Sequence, residues 1–328
     1  MGGDRAVIAV DAMGGDHAPA ELVAGALAAA NDGLSVVLVG DRSRLAPLLP
    51  RGSSVPILHA AATIAMDESP VAAVRNGRDS SLVVAVEAVR DGRVSAVVSC
   101  GNTGALLVAA VTRLGALPGV DRPAVATLLP RMDGGRLVLL DAGANVDCRP
   151  EQLVCFARLG AAYAVALGIE APRVGLLSNG EEDGKGNMQV RATLPLLREA
   201  SGLHVVGNVE PSAAMAGACD VLVCDGFVGN VLLKAAEGAV ATVVGLLSEE
   251  VARTPRGSLG KWLLSPAFGR FRNRVAWDAH GGALLLGVGG AVVVGHGRAR
   301  AGAVRAAIGV AHDAAVRGTV DAVRRALG

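Results

Sequence analysis

Aromatic residues are scarce in this chain: four Phe, two Trp and one Tyr among 328 residues. Charge is scarce as well, at 19% of residues, and the 31 Lys+Arg nearly cancel the 30 Asp+Glu. A net charge of +1 leaves no chain-wide basic field of the kind a nucleic-acid binder uses, so no nucleic-acid partner is expected. No basic segment, apolar segment and small-residue cleavage site follow one another near Met1, so no secretory signal is read there. The longest glycine-containing apolar run, 281–295, has only 15 residues and six glycines. A spanning helix needs about 20 apolar residues, so this run reads as buried strand and turn. The five cysteines (Cys100, Cys148, Cys155, Cys219, Cys224) show neither CxxC nor zinc-finger spacing. An odd count without a secretion signal fits reduced thiols in a cytosol, each a small buried hydrophobe. Hydrophobic residues, by contrast, make up 52% of the chain, which excludes disorder.

Short β-branched runs alternate with Ala-rich helical stretches along nearly the whole length. Strands are predicted at Val7–Val10, Val36–Val39, Val94–Ser99, Val125–Leu129, Leu137–Leu140, Val174–Leu177, His204–Val206 and Val221–Cys224. Helix patterns lie between them, as at Pro19–Asn31, Ser80–Arg90, Gly104–Leu114, Glu151–Leu167 and Met188–Ala200. Continuous apolar strands separated by helices predict an α/β fold with a doubly wound, mostly parallel sheet and helices on both faces. No fixed-period repeat and no low-complexity linker interrupts it, so one domain is expected over 1–328.

Five of these strands run into long loops rich in Gly, Asn and Asp. They begin at Asp11-Ala12-Met13-Gly14-Gly15-Asp16-His17, Cys100-Gly101-Asn102-Thr103-Gly104, Asp141-Ala142-Gly143-Ala144-Asn145, Ser178-Asn179-Gly180 and Asp225-Gly226-Phe227-Val228-Gly229-Asn230. In a parallel sheet such loops share one edge, where these folds bind ligands. Glycine admits close approach of backbone N–H groups, and helix N-termini favour anions. A single loop of this composition is ordinary turn chemistry. Five together point to a site.

Several chemistries are missing their parts. The first loop lacks GxGxxG, so a dinucleotide site is not supported. Gly180-Glu181-Glu182-Asp183-Gly184-Lys185-Gly186 has the wrong spacing for a Walker loop and no hydroxyl after Lys185. No GxSxG elbow supplies a serine nucleophile. Loop acids such as Asp11, Asp141, Glu181 and Asp225 are numerous, but caps and turns use the same residues, and no metal is expected.

Four features remain. Lys185 is the one lysine in the five loops, a point-charge partner for phosphate or an ordinary solvated lysine. Asn230 opens the helix that runs on through Lys234 and is either an oxyanion donor or a simple N-cap. The Cys100–Gly104 turn offers backbone N–H groups at a helix start. His17 is a candidate base, or a turn histidine. Elsewhere, four of the seven aromatics (Trp262, Phe268, Phe271, Trp277) fall in 251–277, which carries Arg253, Arg256, Lys261, Arg270, Arg272 and Arg274 and no acid. That mixture suits an anionic membrane interface, a dimer contact or an acidic protein partner.

The sequence resembles the PlsX family, acyl-acyl-carrier-protein:phosphate acyltransferases of bacterial phospholipid synthesis. The resemblance runs from Val7 to about Gly297. It rests on the segments Ala9–Pro19, Gly101–Ala105, Asp141–Cys148, Gly180–Glu182 with Lys185-Gly186, and Val223–Val231, in that order. It implies transfer of a fatty acyl group from an acyl-carrier-protein thioester to inorganic phosphate, without a cofactor. The acyl phosphate formed would feed a membrane glycerol-phosphate acyltransferase. It also implies a homodimer, a cytoplasmic and peripherally membrane-associated enzyme, and a projecting helical segment near 240–278. On this reading Lys185 and Asn230 are catalytic. Asp11, Gly14, Gly15, His17, Gly101, Asn102, Thr103, Gly104, Asn145, Asp225 and Gly226 bind substrate. Lys261, Trp262, Phe268, Arg270 and Phe271 meet the membrane or the carrier protein. Phosphate is itself the nucleophile, which agrees with the missing serine elbow.

The chain departs from the family pattern in places. It has Ser178-Asn179 where Asn-Ile is usual, Leu284 where Pro is usual, and Arg298-Ala299 where two serines are usual. Two other classes stay open: a phosphate acyltransferase for small acyl-coenzyme A, and a non-catalytic membrane-docking paralogue. Replacing Trp262, Phe268 and Phe271 with Ser is expected to weaken co-sedimentation with anionic vesicles at least several-fold; unchanged sedimentation would remove them from membrane contact.

Overall fold

The structure, a computed structural model, describes residues 6–253, 260, 263–267, 269 and 282–327. The first half is built from β1 (Val7–Asp11), α1 (Ala20–Asn31), β2 (Ser35–Gly40), α2 (Arg42–Leu45), β3 (Ile57–His59), α3 (Pro70–Asn76), α4 (Ser81–Arg90), β4 (Ala96–Ser99) and α5 (Thr103–Leu114). The second half follows as β5 (Ala124–Pro130), β6 (Arg136–Leu140), α6 (Pro150–Ala166), β7 (Arg173–Leu177), α7 (Met188–Glu199), β8 (His204–Val209), α8 (Pro211–Ala216), β9 (Val221–Val223) and α9 (Gly226–Ala252). The chain then returns to the first half through β10 (Ala283–Leu286) and β11 (Ala291–Val294), and ends in α10 (Ala301–Val316) and α11 (Thr319–Leu327). The 281–295 run is thus two buried strands around a turn, as its glycines predict.

All strands join one sheet of 11, in the order β3-β2-β1-β4-β11-β10-β5-β6-β9-β7-β8. Its strands are apolar on both faces because helices cover both. One face carries the core of Leu22, Phe156, Leu194 and Ile308 from α1, α6, α7 and α10. The other carries Val74, Leu82, Val86 and Leu106 from α3, α4 and α5, with a smaller cluster beneath α8 and the start of α9. This is the α/β arrangement that the sequence predicts.

One expectation is corrected. The five polar loops do not all leave the same edge. β5 runs antiparallel to both β10 and β6, so β6, β9, β7 and β8 point opposite to β1, β2, β3, β4 and β11. Asp133-Gly134, between two strand runs, is the hairpin signal that marks this reversal. The loops therefore divide into two after the first-half strands and three after the second-half strands.

The long helix α9 covers 27 residues and is largely exposed along its distal half, where Val243, Leu246 and Leu247 face solvent. By length and composition alone it is long and apolar enough to cross a membrane. Its first turn, however, is built into the loop cluster described below.

At the opposite ends of the second-half strands, Asp220 accepts from Arg131 Nη1 at 2.5 Å and from Arg173 N, Nε and Nη2 at 2.9, 3.0 and 3.1 Å. Burial alone would raise this carboxyl, but the hydrogen bonds from Arg173 and Arg131 outweigh it and bring it down to about 2. The Asp220 and Arg131 side chains are only 10% and 12% exposed, so removing one partner strands the other. Asp220→Ala is expected to destabilise by about 3 kcal/mol at neutral pH, read from the urea midpoint. A carboxyl held below its ordinary 3.8 stabilises fully above about pH 4 and loses that contribution as pH falls through about 2. The gap between wild type and variant should therefore close over that interval.

Candidate active site

Local sequence explains how the loops enter their helices. Asn102, Asn187 and Asp225 each accept the backbone N–H of the residue three positions on, capping α5, α7 and α9. The loop polar groups are thus partly spent on capping, the ordinary role open to them.

The two first-half loops form one cluster around a buried carboxylate. Asp11, 1% exposed, accepts Ser99 Oγ at 2.7 Å and the Met13 N–H at 3.4 Å. Its burial pushes the carboxyl upward. Ser99 Oγ in turn accepts the Gly101 N–H at 3.1 Å, so that amide is already paired. Gly14 and Gly101 cross over Asp11 so closely that a Cβ on Gly14 would lie 2.9 Å from the Gly101 Cα. Gly15, at φ +107°, turns the chain so that Asp16 N–H reaches the Gly297 carbonyl at 2.8 Å. Asn102 Nδ2 donates to the carbonyls of Ala65, Met66 and Glu68, tying down the loop before α3. The Thr103 and Gly104 N–H groups, at the start of α5, meet no acceptor among the described residues. His17 is half-buried and its side chain makes no hydrogen bond among the described residues.

The three second-half loops form another connected unit. Asn145 donates its Nδ2 to Asp141 Oδ2 and to the Pro123 carbonyl, at 2.9 and 2.8 Å. Its own carbonyl accepts the Gly226 N–H at 2.7 Å, joining the β6 loop to the start of α9. Gln189 Nε2 donates to the Cys148 carbonyl at 2.6 Å, joining the same loop to α7. Asn230 stands exposed over Gly143, where a Cβ would come 3.7 Å from its Cβ and Cγ.

Lys185 is exposed, lies across Gly180 and makes no ion pair among the described residues. Its backbone is held from every side. Lys185 N–H and Asn208 Nδ2 both donate to the Glu182 carbonyl, at 2.9 Å each. Asn179 Oδ1 accepts the Gly186 N–H at 2.9 Å, and Arg198 clamps Asp183 with two bonds of 2.7 Å. A free ammonium on a fixed loop is a preorganised anion partner.

No hydrogen bond among the described residues links the first-half cluster to the second. The structure joins Asn145, Asp225, Gly226, Asn230 and the Lys185 loop on one side. It joins Asp11, Gly14, Gly15, Gly101, Asn102 and Gly104 on the other. Lys261, Trp262, Phe268, Arg270 and Phe271 lie outside the described residues. Of the departures from the family pattern, Leu284 is core in β10, Arg298 is exposed after β11, and Ser178-Asn179 lies under the Lys185 loop. The sequence reading passed over Ser99, Asp141, Gln189 and Asn208 as functional residues. Of these only Asp141 stands in a quoted motif; Ser99, Gln189 and Asn208 sit inside regular elements and carry no local signal.

Chemically, the exposed groups are a cation, an amide side chain and open helix-start N–H groups. Burial pushes the Cys100 and Cys219 thiols up to about 12, which leaves them unionised and inert. Among the described residues no group of three His, Cys, Asp or Glu side chains is arranged to hold a metal ion. Fold and site together define an α/β enzyme whose exposed loop groups suit an anion.

The family model described as "Fatty acid synthesis protein" matches residues 6–321. The phosphate acyltransferase of Nostoc punctiforme is 47% identical over 320 residues, spanning 96% of this chain and 94% of that one. That of Brevibacillus brevis is 48% identical over 306 residues, spanning 92% and 91%. The chain belongs to this phosphate acyltransferase family, the PlsX family, and is an acyltransferase. Its fold is shared with a phosphotransacetylase from Streptococcus pyogenes, at TM-score 0.64 and 18% identity over 96% of this chain and 95% of that one. A branched-chain phosphotransacylase from Enterococcus faecalis shares it at 0.58 and 14%, over 94% and 99%.

Lys185→Ala should leave thermal unfolding unchanged, because the side chain is exposed and without an ion pair. It should lower kcat/KM for phosphate by about 100-fold. Near-normal turnover at low phosphate would remove Lys185 from the site.

Proposed function

We propose that the enzyme transfers a fatty acyl group from an acyl-carrier-protein thioester to inorganic phosphate, with Lys185 and Asn230 as its catalytic residues. A phosphate oxygen attacks the thioester carbonyl carbon, the oxyanion forms and collapses, and the C–S bond breaks. The products are acyl phosphate and the carrier thiol, which takes up a proton. Lys185 holds the phosphate and offsets its charge, and Asn230 donates its amide to the oxyanion. Lys185 stands on a loop and Asn230 in the second turn of α9, both fixed by their neighbours, so little reorganisation accompanies the reaction. The Thr103 and Gly104 amides add donors from the first half, with His17 and the Asp11-supported Gly14–Gly15 turn beside them.

The observation that carries this reading is the exposed Lys185 ammonium, without an ion pair among the described residues, on a loop held through Asn179, Asp183 and the Glu182 carbonyl. The acyl phosphate would pass to a membrane glycerol-phosphate acyltransferase in phospholipid synthesis. A homodimer on the cytoplasmic face of an anionic membrane belongs to the same reading, supported by exposed Val243, Leu246 and Leu247 on α9 and by the basic 251–277 stretch. That stretch also suits an acidic carrier protein.

The test is acyl-phosphate formation from phosphate with long-chain acyl-carrier protein or acyl-coenzyme A as donor. Phosphate-dependent turnover is expected at least 10-fold higher kcat/KM with the carrier protein. Turnover with coenzyme A thioesters alone would move the assignment to a small-acyl enzyme. A folded protein inactive with both donors would be a non-catalytic paralogue.

A further inference from the structure

Asp141 ends β6 fully buried, and its carboxylate gathers five N–H bonds. Oδ1 accepts from Val125 N at 3.0 Å, Gly143 N at 3.1 Å and Ala144 N at 3.0 Å. Oδ2 accepts from Asn145 N at 2.6 Å and Asn145 Nδ2 at 2.9 Å. One side chain thus fixes the start of β5 and wraps 143–145 around itself. A capping or turn aspartate accepts one or two such bonds. Burial raises this carboxyl, and the donors work against that rise.

The first turn of α9 rests directly on this residue. A Cβ at Gly226 would lie 2.9 Å from Asp141 Oδ2, and one at Gly229 would overlap the Asp141 carbonyl oxygen. The two glycines of Asp225-Gly226-Phe227-Val228-Gly229 are therefore the positions where the helix touches Asp141. The third glycine, Gly143 at φ +139°, lies under the Asn230 side chain. Asn230 follows Gly229 immediately, so the height and rotation of its amide are set by how closely the helix sits on Asp141.

We propose that Asp141 is a positioning residue for Asn230, acting through the 143–145 turn and the Gly226–Gly229 face of α9. The proposal rests on the reading of Asn230 as an oxyanion donor and assigns what holds that donor in place. It acts on the transition state rather than on phosphate binding, because the Lys185 loop is anchored separately through Asn179, Asn208 and Arg198.

Asp141→Asn keeps the size of the side chain but replaces one acceptor oxygen with an NH2 donor, so it cannot accept all five bonds. Gly229→Ala keeps the carboxylate and instead lifts the helix off it. Each is expected to lower kcat by about 100-fold, the order seen when a reacting group is misplaced by about 1 Å, with KM for phosphate within about 2-fold of wild type. The deciding measurement is a double-mutant cycle with Asn230→Ala, on proteins shown folded by circular dichroism. Once Asn230 is gone, either change should cost less than about 3-fold more in kcat. Full losses that multiply, or a phosphate KM that rises in step with the fall in kcat, would overturn the proposal. Should Asp141→Asn not fold, the Gly229→Ala cycle alone decides. An Asn230→Ala enzyme with wild-type kcat would instead retire the role of Asn230 itself, and with it anything that positions it.

Discussion

The strand β5 is the constraint on which the rest of this fold depends. Its first residues pair with β10 and its last with β6, antiparallel on both sides. Everything before it belongs to a parallel half-sheet running one way, and everything between it and α9 to a half-sheet running the other. Were β5 parallel to either neighbour, a crossover connection would be needed and the short Arg131–Gly135 turn could not make it. Instead a tight hairpin reverses the direction. The same strand supplies the Val125 N–H to Asp141, so the hinge between halves is also the wall of the second loop cluster.

The physical logic of that cluster is separation of tasks. Acids and amides of the loops bond to backbone groups: Asp141 with the 143–145 turn, Asn208 with the Glu182 carbonyl, Asn179 with the Gly186 N–H. Unpaired buried polar groups are costly, and this network pairs most of its own, with Ser178 Oγ and Asn208 Oδ1 left without a partner among the described residues. Lys185 and Asn230 stand exposed at its surface. In the first cluster, likewise, Asp11, Ser99 and Gly101 close on themselves.

Much of this was legible in the sequence. Eight of the strands and both layers of helices follow from apolar runs of strand length alternating with Ala-rich stretches, because burial on both faces imposes that pattern. The loops were legible because Gly, Asn and Asp gather where backbone must turn tightly or cap a helix. Strand direction was not: Leu137–Leu140 reads the same whichever way it runs, and only Asp133-Gly134 hints at a hairpin. Ile57–His59 is three residues long and half-exposed, too weak a pattern to read as β3. Nor does a sequence show which of many loop acids turns inward. Asp141 and Asp225 have similar neighbours, yet one binds five N–H groups across two segments and the other caps a single helix. That difference is tertiary. The glycines at 226 and 229 were equally visible, but their meaning depends on what lies beneath them.

The unbroken course of α9 from Gly226 to Ala252 has a mechanical consequence. At about 1.5 Å per residue it is a rod about 40 Å long, with its fulcrum where Gly226 and Gly229 bear on the β6 loop. Asn230 lies within a turn of that fulcrum, while Val243, Leu246 and Leu247 lie on the long arm. Such a lever has a steep gearing. A tilt of a few degrees sweeps the distal end through several ångströms while the amide beside the pivot barely moves. The outer helix is thereby free to shift while Asn230 keeps its place over Gly143.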